Sequence, residues 1–80
     1  FQLRCIGTLP IRGKSNGLRI FEEFSNDAPE LAQQKKEHLT AFNRMVEAAD
    51  RSDWVSLRPL AAVYLEQVPG DAVGAYYAEF

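Results

Sequence analysis

The first twelve residues alternate between apolar and polar side chains. A period of two predicts a β-strand with one buried face. That face holds the odd-numbered apolar residues Phe1, Leu3, Cys5, Leu9 and Ile11. Gly7 and Pro10 indicate an irregular or free strand edge.

A turn-forming segment follows this strand and leads into a second apolar run. Residues 12–17 include two glycines, which accept the positive φ angles of tight turns. Leu18, Ile20 and Phe24 then share one face of the next run. The pattern predicts an antiparallel β-hairpin over residues 1–24.

The pattern changes to a helical period after this hairpin. Between Leu31 and Ala49 apolar side chains recur at three- and four-residue spacing. This spacing predicts an amphipathic helix over residues 28–51. Asp27 and Glu30 have the spacing of a capping box at its start.

Two further helices are predicted beyond the break at Arg51. The second spans residues 53–67, and Pro59 within it is expected to cause a kink or a late start. Pro69, Gly70 and Asp71 then end this helix and cap a short third one.

These elements predict an α+β fold, in which an antiparallel β-hairpin precedes an α-hairpin and a short C-terminal helix. The chain divides into a terminal hairpin, residues 1–24, and a helical extension, residues 25–80. Phe42 and Trp54 are expected to lie buried between the first two helices.

Length and charge narrow the possible partners. Eighty residues make one small domain at most. The net charge of −2 leaves no basic surplus for phosphate contacts, so nucleic acid is not an expected partner. No apolar run approaches the roughly twenty residues of a bilayer crossing, so no membrane contact is expected. Because Phe1 opens the chain inside an apolar run, we expect a segment of a longer protein.

Isolated reactive residues have structural interpretations. The single cysteine, Cys5, cannot form an internal disulfide and is expected to be a buried thiol. The single histidine, His38, lies beside the apolar helical stripe without a catalytic partner. No metal-ligand cluster is evident. The aspartates near helix ends are expected to act as caps: Asp27, Asp50, Asp53 and Asp71.

Aromatic residues near the C-terminus are candidates for a contact surface. Tyr76, Tyr77 and Phe80 have few later residues to cover them. They either pack on the helices of their own chain or form an intermolecular contact.

Two stretches carry a resemblance to a known family. Residues 11–22, Ile-Arg-Gly-Lys-Ser-Asn-Gly-Leu-Arg-Ile-Phe-Glu, resemble the last hairpin of class III nucleotidyl cyclase catalytic domains. The Val-Lys-Gly-like turn of that family corresponds to Ile11-Arg12-Gly13. Residues 30–71, ending in Pro-Gly-Asp, are similar to the helical extension that follows this domain in many bacterial adenylate cyclases. The same stretch resembles one tetratricopeptide-type unit.

This resemblance implies a function for a parent protein. The parent converts ATP to cyclic AMP and pyrophosphate in signal transduction, uses Mg or Mn, and is cytoplasmic or anchored to a membrane by another part. Its metal-binding carboxylates and its transition-state Asn/Arg pair lie upstream of this segment. Arg12 takes the place of a lysine that reaches the nucleotide phosphates. The segment itself needs no cofactor, lacks activity alone and serves a structural, regulatory or dimer-contact role.

A second hypothesis belongs to another class of protein. The chain is then a non-enzymatic helical protein–protein interaction domain with a chance likeness in the hairpin. Under either hypothesis a two-stranded hairpin leaves a free strand edge. We therefore expect a homodimer through the hairpin or through Tyr76, Tyr77 and Phe80. The remainder of the catalytic domain is a further partner under the first hypothesis.

Overall fold

The computed structural model describes residues 2–10, 12–13 and 17–80. Within these residues it contains two strands and four helices. In chain order they are β1 (Leu3–Leu9), β2 (Leu18–Glu23), α1 (Pro29–Glu37), α2 (Leu39–Asp50), α3 (Trp54–Gln67) and α4 (Ala72–Ala78). The strands pair antiparallel. The predicted α+β fold, a hairpin followed by helices of which the last is short, is confirmed.

The single helix predicted over residues 28–51 is divided at His38. This residue has φ −107° and ψ 22°, so it ends α1 and begins α2. The two helices bury different kinds of side chain. The buried residue of α1 is Lys35, whereas the buried residues of α2 are apolar. The predicted capping box is wrong: Ala28 occupies the N-cap, and Asp27 binds Lys35 instead.

Two aspartates cap the later helices, as predicted. Asp53 accepts a hydrogen bond from the Ser56 N–H at the start of α3. Asp71 accepts one from the Val73 N–H at the start of α4. The helix α3 begins at Trp54 and continues through Pro59, so the late start anticipated for it does not occur.

The core lies where α2, α3 and α4 meet. Its buried members are Phe42, Met45, Val46, Ala48, Leu57, Ala61, Tyr64, Val68 and Tyr77. Ile6 of β1 packs against this core from the sheet. Phe42 is fully buried as predicted, but the prediction for Trp54 is wrong, because 48% of that residue is exposed.

The predicted buried face of β1 is wrong. Leu3 and Leu9 are about half exposed, whereas Arg4, an even-numbered residue, is 2% exposed. The register shifts between Cys5 and Gly7, which breaks the simple alternation. Cys5 is only partly buried. Of the other predicted members of this face, residues 1 and 11 lie outside the described ranges.

Gly7 is required at this irregularity. Its φ of +152° lies where side chains are strained, and an added Cβ would stand 2.8 Å from the Tyr77 hydroxyl oxygen. The missing side chain therefore lets α4 approach β1.

Candidate functional site

The Arg4 side chain joins the hairpin to the helices. Its Nε donates to Glu22 at 2.6 Å, and its Nη1 and Nη2 donate to the two carboxylate oxygens of Asp71 at 2.6 and 2.9 Å. The side chains of Arg4 and Asp71 are both 0% exposed. The guanidinium carbon also lies 3.9 Å from the centroid of the Phe42 ring. Arg4 and Asp71 thus form a buried, bidentate ion pair.

Tyr64 completes the hydrogen bonds around Asp71. Its hydroxyl donates to Oδ2 of Asp71 and accepts a bond of 3.2 Å from Nη1 of Arg4. The other carboxylate oxygen also accepts from the Val73 N–H at 3.0 Å. Asp71 therefore caps α4 and binds Arg4 at the same time.

The pKa values follow from this arrangement. Burial raises the pKa of Asp71, but hydrogen bonds from Arg4 and Tyr64, with the charge of Arg4, outweigh it and bring the pKa to about 2. Burial lowers the pKa of Arg4, while Asp71 and Glu22 more than reverse this and raise it. Burial, followed by the bond to Asp71, raises the pKa of the Tyr64 hydroxyl. Arg4 and Asp71 stay charged, and Tyr64 stays neutral, across the physiological range.

A second cation extends the cluster to α1. The ammonium group of Lys35 lies 3.3 Å from Glu22 Oε1 and 2.5 Å from Asp27 Oδ2. Lys35 is 4% exposed. Among the described residues, no buried side-chain nitrogen or oxygen lacks a hydrogen-bond partner. The buried polar groups of the cluster are therefore all hydrogen-bonded, and its charges join β1, β2, α1 and the start of α4.

A separate hydrogen bond fixes α4 to β1. The Tyr77 hydroxyl donates to the Ile6 carbonyl oxygen at 2.6 Å, beside the bulge. Burial, followed by the charge of Asp50, raises the pKa of this hydroxyl. Asp50 itself accepts a bond of 2.9 Å from Thr8 of the same strand. Strand β1 is thus held by α4 and by the end of α2.

Three exposed aromatic residues line a groove beside this contact. Trp54, Tyr76 and Phe80, which define the aromatic groove, are each about half exposed. The rings of Trp54 and Phe80 stack at 5.3 Å with planes 10° apart. The groove has a cavity volume of about 420 Å³, and Ile6 and Leu9 of β1 form part of its wall.

The three aromatic residues predicted to form a contact surface do not all lie at the surface. Tyr76 and Phe80 lie at the surface, whereas Tyr77 is 8% exposed and belongs to the core. The predicted phosphate ligand, Arg12, is exposed in the turn after β1. Gly13, next to it, has a left-handed φ of +81°. His38 is partly buried at the junction of α1 and α2.

The described part of the chain contains neither a metal-binding cluster nor a membrane-spanning helix. There, no group of three or more histidine, cysteine, aspartate or glutamate side chains is arranged to hold a metal ion. In the same ranges no helix combines the length and apolarity that a membrane span requires.

The sequence pattern missed the buried ion cluster. Asp71 is identified only as a helix cap, and Arg4 falls on the strand face that was expected to be polar and exposed. Alternation cannot reveal such a residue, because its partners come from positions 64 and 71.

Comparison with known proteins identifies no relative of this chain. No protein-family model, curated protein or solved structure matches it.

Proposed function

We propose that this chain is the C-terminal segment of a class III nucleotidyl cyclase, in which its own role is structural. It closes one end of the catalytic sheet and fixes a helical extension to it. The observation that supports this most is the buried contact between Arg4 and Asp71. Arg4 lies on the strand that leads to the Arg12-Gly13 turn, and Asp71 ends the Pro-Gly-Asp motif. A direct contact gives a physical reason for these two motifs to occur together.

The proposed role also concerns the position of Arg12. Strand β1 is attached to the helices at Arg4 and at the Ile6 carbonyl. The Arg12 turn follows this strand, so the helices hold the strand that leads to the turn. A guanidinium binds phosphate in a bidentate manner. In the parent, Arg12 would therefore contact the nucleotide phosphates, while the metal ions and the remaining catalytic groups come from other residues.

The direct test is the coding sequence upstream of Phe1 in the native gene. We expect two metal-binding carboxylates and an Asn/Arg pair there, and their absence would refute the cyclase proposal. The full gene product is then assayed for cyclic AMP formation from ATP with Mg or Mn. We expect Arg12→Lys to retain more activity than Arg12→Ala. Cyclase turnover by residues 1–80 alone, dependent on Arg12, would also contradict the proposal.

A second candidate is a non-enzymatic helical interaction domain. The aromatic groove favours this candidate. Its residues Trp54, Tyr76 and Phe80 are half exposed, and aromatic residues are enriched at protein–protein contacts. The upstream sequence separates the two candidates, since only a cyclase requires the carboxylates.

A further inference from the structure

The outer edge of β2 is open among the described residues. The sheet has two strands, so β1 is the one strand that pairs with β2. Strand β1 also packs on α2, whereas the main contacts of β2 are with β1. An open edge of this kind is a template for pairing with another strand.

The direction of the backbone groups on β2 can be derived from one hydrogen bond. The Phe24 N–H donates to the Gln2 carbonyl at 2.9 Å, so the backbone of Phe24 faces β1. Successive residues of an antiparallel strand alternate between facing the partner and facing away. Arg19, Phe21 and Glu23 therefore direct their N–H and C=O groups to the open edge.

The same three residues form an exposed, ordered set of side chains. Arg19, Phe21 and Glu23 are all exposed, and the Arg19 guanidinium carbon lies 5.4 Å from the centroid of the Phe21 ring. Along the strand the order is positive, aromatic, negative. This order is self-complementary when the strand is paired antiparallel with a copy of itself, because the two charges exchange ends.

We propose that two copies of this chain pair through β2 about a twofold axis at Phe21, forming a four-stranded antiparallel sheet. Arg19 of each protomer then lies opposite Glu23 of the partner subunit, and the two Phe21 rings are adjacent. Opposite charges and aromatic pairs at such positions stabilise a sheet. A twofold contact of this kind closes on itself.

Neighbouring registers fit less well. An axis at Glu22 places Phe21 opposite Glu23 and Arg19 opposite Ser25, so neither Arg19 nor Glu23 faces an opposite charge. An axis at Ile20 pairs Arg19 with Phe21 and leaves Glu23 without a cation. The axis at Phe21 uses the outward backbone groups of all three residues. It also places each Arg19 opposite a Glu23 carboxylate, which already accepts hydrogen bonds from Gln2 and Ser25 of its own chain. This pairing does not depend on the cyclase proposal.

The test exchanges the charges at positions 19 and 23 and measures dimerisation by sedimentation equilibrium over a concentration series. Arg19→Glu places Glu opposite Glu23, and Glu23→Arg places Arg opposite Arg19. We expect each single variant to dimerise about tenfold or more weakly than the unmodified chain. An equimolar mixture of the two variants, and the double variant R19E/E23R, are both expected to recover dimerisation. Arg58→Glu, at an exposed site on α3, is the matched control and should leave dimerisation unchanged.

Three outcomes would overturn the proposal. One is a strictly monomeric chain at several hundred micromolar. Another is dimerisation unaffected by either single variant, which would indicate a different surface such as the aromatic groove. The third is loss of dimerisation in both single variants without recovery in the mixture, because recovery depends only on complementary charge. Circular dichroism of each variant confirms that it is folded.

Discussion

Arg4 and Asp71 are 67 residues apart in sequence, yet their side chains make two hydrogen bonds with no exposure to solvent. One residue belongs to the hairpin, and the other to the turn that starts the last helix. A charge in this position is stable only while its partner remains beside it. The hairpin and the helical extension are therefore one folding unit, although the sequence divides them into two segments.

Removing either partner of this ion pair is expected to lower the stability of the fold severely. Arg4→Met leaves Asp71 buried without its cation, and Asp71→Asn leaves Arg4 with the partly exposed Glu22 as its remaining anion. Breaking a buried ion pair in this way costs about 3–5 kcal/mol, which is comparable with the whole stability of a domain of this size. Urea unfolding followed by circular dichroism should show the loss.

A double variant distinguishes an unpaired charge from a lost contact. Arg4→Met combined with Asp71→Leu buries no unpaired ion between these positions, so it is expected to be more stable than either single variant. Arg58→Met is the control, because Arg58 is exposed, and should change stability by less than about 0.5 kcal/mol. Equal stability of the single and double variants would contradict the role given to the pair.

Acid should weaken the fold through Asp71. Its pKa in the folded chain is about 2, below the usual value near 4. The stability due to its ionisation is therefore fully present above pH 4 and is lost as the pH falls towards 2. A lowering of about two units corresponds to roughly 2–3 kcal/mol. A carboxyl-carbon NMR titration measures the value directly, and an Asp71 midpoint near 4 would contradict the buried pair.

The sequence predicts where the strands and helices lie better than it predicts which of their faces are buried. The hairpin, the capped starts of α3 and α4 and the burial of Phe42 all follow from local pattern or from periodicity. Their causes act within a few residues along the chain, so the sequence displays them. The break at His38 was not anticipated, because the apolar spacing continues past it.

The buried face of β1 could not be predicted from alternation. The rule that charged residues stay exposed fails for Arg4, because Asp71, Glu22 and Tyr64 supply its hydrogen bonds. The prediction for Trp54 is wrong in the opposite direction, because a residue expected to be buried is exposed. Its position matches the apolar stripe of the helix, but its ring stacks on Phe80 at the surface. Both outcomes depend on tertiary neighbours that no local spacing reveals.

Gly74 is predicted to be intolerant of a methyl group. A Cβ at this position would lie 2.8 Å from Cε2 of the fully buried Tyr64 ring. Alanine favours a helix by up to about 1 kcal/mol, but overpacking of this kind typically costs about 1–3 kcal/mol. We expect Gly74→Ala to lower the free energy of unfolding. At Gly70 the added Cβ meets Leu31 at an ordinary 3.5 Å, so Gly70→Ala is the matched control and should be nearly neutral.

Phe42 of α2 and Trp54 of α3 should respond differently to truncation. Phe42 is fully buried, so Phe42→Ala is expected to cost about 3–5 kcal/mol. Trp54 is half exposed and stacks on Phe80, so Trp54→Ala is expected to cost about 1 kcal/mol. Thermal unfolding compares the two variants. Equal losses would show that Trp54 lies in the core rather than in the aromatic groove.

Native-state hydrogen exchange tests most directly whether hairpin and helices form one unit. The amide of Phe24 bonds to Gln2 within the hairpin, and the amide of Val68 bonds to Tyr64 at the end of α3. If Arg4 and Asp71 join the two parts, both amides should exchange with the same free energy of opening, equal to that of global unfolding. A Phe24 amide that exchanges without protection while Val68 stays protected would show that the hairpin opens independently, and would contradict the account.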